Sequence, residues 1–537
     1  MRGTMGGAAR LGKGASRSIA LASWRCGEHG RRMAGHFIAQ GAGRHPDRAA
    51  LIADGVALSY AALAATLERL RMHLAGLDLA EGSPALILMR SRAECWIAVM
   101  ALRALGHPTV ALRDGSQAMV LPLDGPFLVL SAGEVAAGRM QEPQGFEGRR
   151  VVLPAQIGGG ATMLREPEPE ALRPKAPMIL LSSGTTGTPK LIPIPLGQDD
   201  ARAAARAAWM GCDGSTVFNN LDIGVWTSPG FNYPPAVWHA GGTVVLDGSA
   251  ERYRRFADFG VTMAFCSGED LERLLNAAGE GGGHGGRRID QVLILHGGGL
   301  LPLPLLRAVT ERLTRRFVHF YAMTEVNRPL LAVAYEGDAE AMHWLEPVAG
   351  MEVDVVDEAG QPCPPGIEGA LRCKLGPADA VGYLNAPEAT ARHFRDGWCY
   401  PGDLGERRAD GRIRVLGREG DVIVIGAQKQ AAGPIEERLR TLLGARAVCL
   451  FTGLDDAGEG RLIVAVETDG AVPLTQQQAI GRMFPSFRRI AFSTRRRFPR
   501  TETGLGKIQR GVLRRDVEAR LSAIAAEARQ PGADDTH

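Results

Sequence analysis

The sequence lacks the cysteine spacing of a zinc site or of a disulfide framework. Its eight cysteines are scattered over 537 residues, and none of them forms a Cys-x-x-Cys pair or a Cys/His cluster. We therefore expect reduced thiols and a cytoplasmic protein. A long apolar run is also missing, because Arg90, Arg92 and Glu94 interrupt the best stretch, 86–99, whereas a membrane span needs about 20 apolar residues. The sequence predicts a soluble protein without a membrane span.

A strong excess of charge of either sign is absent as well. Lys and Arg number 62 and Asp and Glu 59, a formal net charge of +3. Seven of these bases and one of the acids lie in the first 32 residues, so the remainder is slightly acidic. A chain with so little net charge creates no positive electrostatic potential that would bind a polyanion. Nucleic acid is therefore not an expected partner.

The length and composition are those of a globular protein with several domains. Hydrophobic residues make up 45% and charged residues 23% of the chain, and domains average roughly 100 to 200 residues. Residues 1–33 are basic and rich in Gly and Ser; we expect a disordered leader, either a transit peptide or the product of an upstream start codon. Residues 527–537 read as a disordered polar tail.

Between these ends, strands alternate with helices, which predicts an α/β fold. We expect a large N-terminal domain, 34–419, of α/β subdomains plus a β-rich part. A small mobile α+β domain, 420–526, should follow. The period-two pattern of 351–416 predicts antiparallel strands. The other expected strands are 49–52, 85–89, 291–295, 318–320, 447–451 and 462–467, and the expected helices are 60–75, 92–105, 303–315, 435–443, 476–483 and 509–526.

The strongest local signal is the loop from Ser182 to Lys190, which lies between two apolar stretches predicted as strands. Gly184 and Gly187 let the backbone turn tightly, and the hydroxyls of Ser183, Thr185 and Thr186 add donors that suit phosphate. It is not a Walker A loop, because a strand rather than a helix follows Lys190. On the residues alone, an ordinary solvated loop remains the alternative.

Three further motifs carry groups that suit a nucleotide. Tyr321 to Glu325 combines a ring, the Thr324 hydroxyl and a metal-capable carboxylate. Asp403 is a natural acceptor for a ribose diol, with Arg418 one hairpin away. Lys507 ends a Gly-rich turn before the last helix and could be presented inward as a mobile charge. Taken singly, these residues could instead be a core ring, a turn aspartate and a surface lysine.

In this order, the four motifs resemble the AMP-forming acyl-CoA synthetases and the wider adenylate-forming superfamily. That superfamily includes aryl-CoA ligases, peptide-synthetase adenylation domains and firefly luciferase. The resemblance runs from about Gly35 to Leu521 and includes the stretch from Val381 to Asn385.

The resemblance implies a role for each matching residue. The 182–190 loop, with Lys190, would wrap the β- and γ-phosphates of ATP. Thr324 would bind the α-phosphate, Glu325 the magnesium, and Lys507 would bridge the substrate carboxylate and the α-phosphate. Gly297, Gly298 and Gly299 would line the adenine, Tyr321 would stack on it, and Asp403 would hold the ribose with Arg418 nearby. Trp226 and Gly230 match the acyl pocket loosely.

The resemblance further implies ATP-dependent activation of a carboxylic acid to an acyl-adenylate, followed by transfer to coenzyme A. The small domain departs from the family pattern. The hinge position is Gly420, the glycine beside the pantetheine channel falls on Ala427 with Gly426 next to it, and the lysine loop is about two residues longer than usual. Two alternatives therefore stay open: an enzyme that delivers its acyl group to a carrier protein or another nucleophile, and an inactive nucleotide binder.

Overall fold

The computed structural model describes residues 36–138, 143–155, 169–182, 189–249, 251–253, 256–279, 288–299, 301–425, 428–454, 460–487, 489–500 and 508–527. Within these ranges the α-helices are α1 (Phe37–Arg44), α2 (Tyr60–Ala75), α3 (Arg92–Leu105), α4 (Ala132–Ala136), α5 (Asp199–Met210), α6 (Ser228–His239), α7 (Gly268–Gly279), α8 (Leu303–Arg312), α9 (Pro387–His393), α10 (Ala432–Leu443), α11 (Leu474–Met483) and α12 (Arg510–Glu527).

The strands of the same ranges are β1 (Ala49–Ala53), β2 (Val56–Ser59), β3 (Ala85–Leu88), β4 (Thr109–Leu112), β5 (Phe127–Ser131), β6 (Arg150–Leu153), β7 (Ile179–Leu181), β8 (Leu191–Pro193), β9 (Val217–Asn219), β10 (Thr243–Val245), β11 (Met263–Cys266), β12 (Leu293–Gly297), β13 (Phe317–Tyr321), β14 (Leu331–Ala334), β15 (Glu346–Pro347), β16 (Val353–Val356), β17 (Glu368–Lys374), β18 (Phe394–Arg395), β19 (Trp398–Cys399), β20 (Asp403–Arg407), β21 (Ile413–Arg418), β22 (Val422–Ile425), β23 (Gln428–Ala431), β24 (Ala447–Leu454), β25 (Gly460–Glu467) and β26 (Arg489–Arg495).

Two largely parallel sheets form the first part of the chain. The larger has the order β15-β14-β13-β12-β11-β9-β10-β1-β2. In this order, the neighbouring strands from β13 to β1 pair in parallel. The strands at both edges are antiparallel, as in the pairs β13-β14 and β1-β2. The smaller, β4-β3-β5-β6, is parallel throughout. Helices α1, α2, α3, α5 and α6 contribute apolar residues to one core with both sheets. This arrangement confirms the predicted α/β class.

Helices α2 and α3 coincide with the predicted ranges because local signals define their ends. The Ser59 hydroxyl accepts a hydrogen bond from the amide of Ala62 at 3.2 Å, and Ser91 caps α3 in the same way from Glu94 at 3.3 Å. Gly106, with φ of +96°, ends α3 in a left-handed conformation that glycine adopts without strain.

The β12-α8-β13 unit was predicted, but its limits differ. Strand β12 runs from Leu293 to Gly297 rather than over 291–295, because His296 and Gly297 pair with His319 and Phe320 of β13. Helix α8 ends at Arg312 rather than Arg315. Gly297, the first of the three glycines expected to line the adenine, is therefore a strand residue.

The β-rich part is antiparallel, as predicted. Strand β17 pairs with β16, β19 and β20, and β20 pairs with β21. Gly360 and Gly411, in the turns that join β16 to β17 and β20 to β21, have φ of +77° and +89°. These hairpins place Asp403 at the start of β20 and Arg418 at the end of β21.

The last part of the chain forms a small α+β unit. It contains the β22-β23 hairpin, the sheet β24-β25-β26, and helices α10, α11 and α12. Strand β26 was not predicted; it pairs in parallel with β25. The boundary near Gly420 and the limits of the domains stay predictions. Within the described ranges, no helix combines the length and the hydrophobicity needed to cross a membrane.

Candidate active site

Tyr321, Asp403 and Arg418 meet at the end of β13. The Tyr321 hydroxyl donates to Asp403 Oδ2, and Arg418 Nε lies 2.8 Å from Asp403 Oδ1. Asp403 and Arg418 are register partners across β20 and β21, and Arg418 also donates to the carbonyl of Pro401 at 3.0 Å. Burial, followed by the Asp403 charge, raises the pKa of Tyr321 well above its usual value. The phenol therefore stays protonated and can serve as a donor.

A second group surrounds Glu325. The Tyr383 hydroxyl donates to Glu325 Oε1 at 2.7 Å, and Lys190 Nζ lies 4.6 Å from the centre of the Tyr383 ring. Burial lowers the pKa of Lys190, and the charge of Glu325 opposes that shift. The backbone carbonyl of Glu325 accepts from the amide of Ala380 at 2.8 Å. These contacts join the loop after β13 to the segment before α9.

His393 holds the Lys190 ammonium from the other side. Lys190 Nζ lies 3.3 Å from His393 Nε2, while His393 Nδ1 lies 3.0 Å from the carbonyl of Ala389. Burial, followed by the Lys190 charge, lowers the pKa of His393. A neutral imidazole that donates from Nδ1 leaves Nε2 free to accept from the ammonium.

A pair of strands flanks the loop from Ser182 to Lys190, the proposed phosphate-binding loop. Strands β7 and β8 pair antiparallel, and the amide of Ser182 donates to the carbonyl of Lys190 at 2.9 Å. The Lys190 amide in turn donates to Ser182 Oγ at 3.0 Å. The loop thus leaves one strand and enters another, as the sequence predicted.

Eight predicted site residues lie outside the described ranges, and their roles stay predictions. They are Ser183, Gly184, Thr185, Thr186 and Gly187 of the loop, Gly426 and Ala427 of the acceptor channel, and Lys507. Thr324 is described and lies half-buried beside Glu325.

The three glycines at the end of β12 have different structural roles. A methyl group on Gly297 would lie 2.5 Å from the Phe320 ring, and Gly298 has φ of +90°. Gly299 faces open space. Gly297 and Gly298 are therefore needed for close packing and for backbone conformation, respectively, whether or not a nucleotide is bound.

Trp226 and Gly230 belong to one tight turn before and within α6. A methyl group on Gly230 would lie 1.7 Å from the carbonyl oxygen of Gly224, and the Trp226 ring covers Gly224 on the other side. The Trp226 Nε1–H is buried and has no partner among the described residues. Their assignment to the acyl pocket stays a prediction.

The sequence reasoning missed His393, and it named Tyr383 only within the stretch from Val381 to Asn385. Neither the contact of Lys190 with His393 nor that of Tyr383 with Glu325 follows from local spacing.

Glu325 is the residue that would hold a magnesium ion. Among the described residues, no group of three or more His, Cys, Asp or Glu side chains could hold a metal ion. A single carboxylate such as Glu325, completed by phosphate oxygens and water, is the usual arrangement for magnesium bound with a nucleotide.

Comparison with known proteins gives a consistent result. A family described as AMP-binding enzyme matches residues 38–121 and 126–384, more than half of the chain. A 4-hydroxybutyrate–CoA ligase of Metallosphaera sedula is 25% identical over 393 residues, 68% of each chain. A salicyl-AMP ligase/salicyl-S-ArCP synthetase of Mycobacterium tuberculosis is 28% identical over 494 residues, 83% of each chain.

The fold also matches a solved structure. That structure is the Bacillus subtilis O-succinylbenzoate coenzyme A synthetase in complex with ATP and magnesium, with a TM-score of 0.71 and 22% identity. The match covers 89% of this chain and 99% of that one. At this identity, the likeness concerns the fold alone.

Proposed function

Because this chain belongs to the AMP-binding enzyme family, that is, the AMP-forming acyl-CoA synthetases and their adenylate-forming relatives, we propose that it is a carboxylate:CoA ligase. It uses ATP to convert a carboxylic acid to an acyl-adenylate and pyrophosphate, and then forms acyl-CoA and AMP. The observation that carries this proposal is the convergence of Tyr321, Asp403 and Arg418 beside the Glu325, Tyr383 and Lys190 group. These six residues come from segments distant in sequence.

Asp403 is the proposed acceptor for the ribose hydroxyls. Its two carboxylate oxygens accept from Tyr321 and from Arg418, respectively, and a carboxylate oxygen has more than one acceptor position. We place the ribose diol beside this carboxylate. Tyr321 then borders the adenine site together with the glycines after β12.

Phosphate and magnesium belong on the Lys190 side. The Lys190 ammonium, which His393 and Tyr383 hold in place, would contact the terminal phosphates, and Thr324 the α-phosphate. Glu325 would bind magnesium, which when present offsets phosphate charge. Tyr383 orients the Glu325 carboxylate through the 2.7 Å hydrogen bond.

The first half-reaction joins two anions. A carboxylate oxygen of the substrate attacks the α-phosphorus, an O–P bond forms, and the bond to the pyrophosphate oxygen breaks. The protein helps by positioning the reactants and by placing cationic groups where negative charge develops. Lys507, delivered by the small domain, would bridge the attacking carboxylate and the α-phosphate.

In the second half-reaction, the thiol sulfur of coenzyme A attacks the acyl carbon, AMP leaves and the thiol proton passes to solvent. We propose that the small domain turns about Gly420 to bring 426–427 to the site. A methyl group on Gly420 would meet no atom within 4 Å, so the structure around it is open. All described cysteines are free thiols, which fits the cytoplasmic location that we propose.

A carrier protein is the second candidate acceptor. The observation that favours it is the relative whose name includes salicyl-S-ArCP synthetase, together with Ala427 at the position where the family has glycine. A carrier protein would present the same phosphopantetheine thiol as coenzyme A. The chemistry of the first half-reaction would not change.

The test separates the two half-reactions. Carboxylate-dependent ATP/pyrophosphate exchange over a panel of acids measures adenylation, and thioester formation with coenzyme A measures transfer. We expect both, with Ala427→Gly holding or improving the apparent affinity for coenzyme A and leaving the exchange rate unchanged. The opposite outcome is that the protein makes acyl-AMP but never consumes it with coenzyme A, and that Ala427→Gly does not restore transfer. That result would reject the CoA-ligase proposal in favour of a carrier protein as acceptor.

A further inference from the structure

The two units of the chain carry net charges of opposite sign. The small unit, from the first residue of β22 to the last of α12 (422–527), has 17 basic and 11 acidic residues, a net charge of +6. The large unit that precedes it (36–421) has 37 basic and 45 acidic residues, a net charge of −8. The near-neutral total for the whole chain does not reveal this division. Opposite net charges attract the two units to each other before any contact forms.

The first turns of helix α7 carry an excess of negative charge in the large unit. Glu269 Oε1 lies 2.7 Å from Arg273 Nη2, and Arg273 Nη1 lies 2.6 Å from Asp222 Oδ2. The described charged groups that act on one another here are three bases (Arg92, Arg252, Arg273) and five acids (Asp222, Asp247, Asp270, Glu269, Glu272). Burial raises the pKa of Asp270, but a negative excess remains even when that carboxyl is protonated. We call Glu269 and Glu272 the acidic turn.

The small unit faces this turn with arginines. Arg497 Nη2 lies 3.4 Å from Glu269 Oε1. Burial raises the pKa of Glu272, and the charges of Arg500 and Arg446 oppose that rise. We call Arg446, Arg496, Arg497 and Arg500 the basic edge.

The basic edge keeps a positive excess after its own acids are counted. Arg500 lies 2.6 Å from Glu467, which also acts on Glu272. Arg446 lies 2.7 Å from Asp469, and the charge of Arg496 acts on the same carboxylate. Four arginines therefore stand against two acids of the small unit. The acidic turn and the basic edge are complementary in charge.

The acidic turn lies on the side of the large unit that carries the proposed active site. Helix α7 directly follows β11, and β11 pairs in parallel with β12, whose last residue is Gly297. In the small unit, Arg500 and Ile508 form an antiparallel bridge. These two residues flank the segment that contains Lys507. The contact thus brings both ends of that segment to the sheet edge where the nucleotide is proposed to bind.

We propose that the basic edge docks on the acidic turn and that this contact holds the small domain in the orientation for adenylation. The inference rests on the proposed function for the role of Lys507 and adds how the domain is held. Exposed ion pairs are individually weak, so the contact can open when the domain turns for thioester formation. The partner of the basic edge is the large unit itself, because the contacts of Arg497 and Arg500 join these two surfaces.

Charge reversal on each side, alone and together, tests the contact. Glu269→Arg and Arg497→Glu should each lower the rate of carboxylate-dependent ATP/pyrophosphate exchange by about three- to tenfold, because an attraction becomes a repulsion. The double variant restores a pair of opposite charges and should recover at least about half of the wild-type rate. Thioester formation from presynthesised acyl-AMP should stay within about twofold in all three variants, because the domain has turned by then.

Arg514→Glu is the matched control, because it changes the net charge of the small unit by the same amount as Arg497→Glu. Arg514 is 48% exposed on α12 and paired with Glu518, and its reversal should leave the exchange rate unchanged. Small-angle X-ray scattering without substrate measures the contact independently of activity. The radius of gyration should increase in each single variant and at about 0.5 M salt, and it should return to the wild-type value in the double variant.

Unchanged exchange and unchanged scattering in both single variants would overturn this inference and leave the proposed function standing. The same result is expected if the basic edge instead binds an external acidic protein. A loss in Arg514→Glu equal to that in Arg497→Glu, or no recovery in the double variant, would also overturn it. Failure of the wild type to exchange with any acid, together with the expected scattering changes, would reject the proposed function and support the docking contact.

Discussion

At the scale of single residues, Asp403 has the best-defined environment in the site. It is 7% exposed and receives donors from Tyr321 and Arg418, which belong to different strands. Donors from two different strands fix the orientation of this carboxylate. The proposed ribose acceptor is therefore held in one position before a nucleotide binds.

Asp403→Asn should weaken ATP binding by about 10- to 150-fold, because a charge-assisted hydrogen bond contributes about 1.5 to 3 kcal/mol. Direct titration of the folded variant with ATP measures this change. Glu406→Gln is the control, since Glu406 lies on the same strand and pairs with Arg414 at 2.7 Å, away from the proposed ribose site. Equal ATP affinity of the Asp403 variant and the wild type would show that the ribose assignment is wrong.

The lowered pKa of His36 predicts that the free energy of unfolding decreases in acid. Its pKa is about 3 in the folded protein, lowered by burial from 6.5, so the unfolded chain binds a proton more readily. The stability that it contributes is complete above pH 6.5 and is lost as the pH falls toward 3. At pH 5 the loss should be about 1 to 2 kcal/mol.

His36→Asn tests this pH dependence while keeping a helix cap. His36 Nδ1 accepts from the amide of Ile38 at 3.3 Å at the start of α1, and asparagine can make the same bond without titrating. Denaturant unfolding at pH 7 and pH 5 should show a smaller difference for the variant than for the wild type. An equal difference in both proteins would assign the acid sensitivity to other groups.

At the scale of elements, the β12-α8-β13 unit places the glycines and Tyr321 at the same edge of the large sheet. Carboxyl ends of parallel strands open a crevice where ligands bind in α/β proteins. The close approach of Gly297 to the Phe320 ring shows that β12 and β13 pack without room for a side chain there.

Gly297→Ala should lower the free energy of unfolding by about 1 to 3 kcal/mol, the usual cost of forcing an extra carbon into a packed position. Gly299→Ala is the matched control for stability, because its added methyl group would meet no atom within 4 Å. Chemical denaturation of both variants measures the two free energies of unfolding. If the two variants are equally stable, the Gly297 position has room that the structure does not show.

At the scale of the whole molecule, one of the contacts between the small unit and the large one is an exposed ion pair. Arg497 Nη2 lies 3.4 Å from Glu269 Oε1 of α7, and these side chains are 73% and 34% exposed. Exposed ion pairs of this kind contribute about 0 to 1 kcal/mol to stability. Such a contact can be broken at little cost, which is what a domain that moves between two half-reactions requires.

Lys507→Ala should lower acyl-AMP formation by roughly 10² to 10³, the scale of removing one preorganised stabilising group. Thioester formation from presynthesised acyl-AMP should change far less, because in the proposed mechanism the lysine has left the site before that step. Arg515→Ala, an exposed basic residue on α12, is the control and should leave both rates as they are. Comparable losses in both half-reactions of the Lys507 variant would contradict the two-conformation mechanism.

The sequence by itself determined the family, the α/β class and those elements that end at local signals. Helices α2 and α3 were predicted to the residue because Ser59 and Ser91 cap them, and four motifs in order indicated the superfamily. Strand β26 could not be predicted in this way, because only its pairing with β25 stabilises it. For the same reason β12 extends to Gly297 only through its partner β13.

Only the tertiary structure decided which side chains meet in the site. Lys190 and His393 are 203 positions apart, and Tyr321 and Asp403 are 82 apart. Caps and turns depend on residues within a few positions and can be read along the chain, whereas hydrogen-bond partners and charge balance depend on distances that folding alone sets.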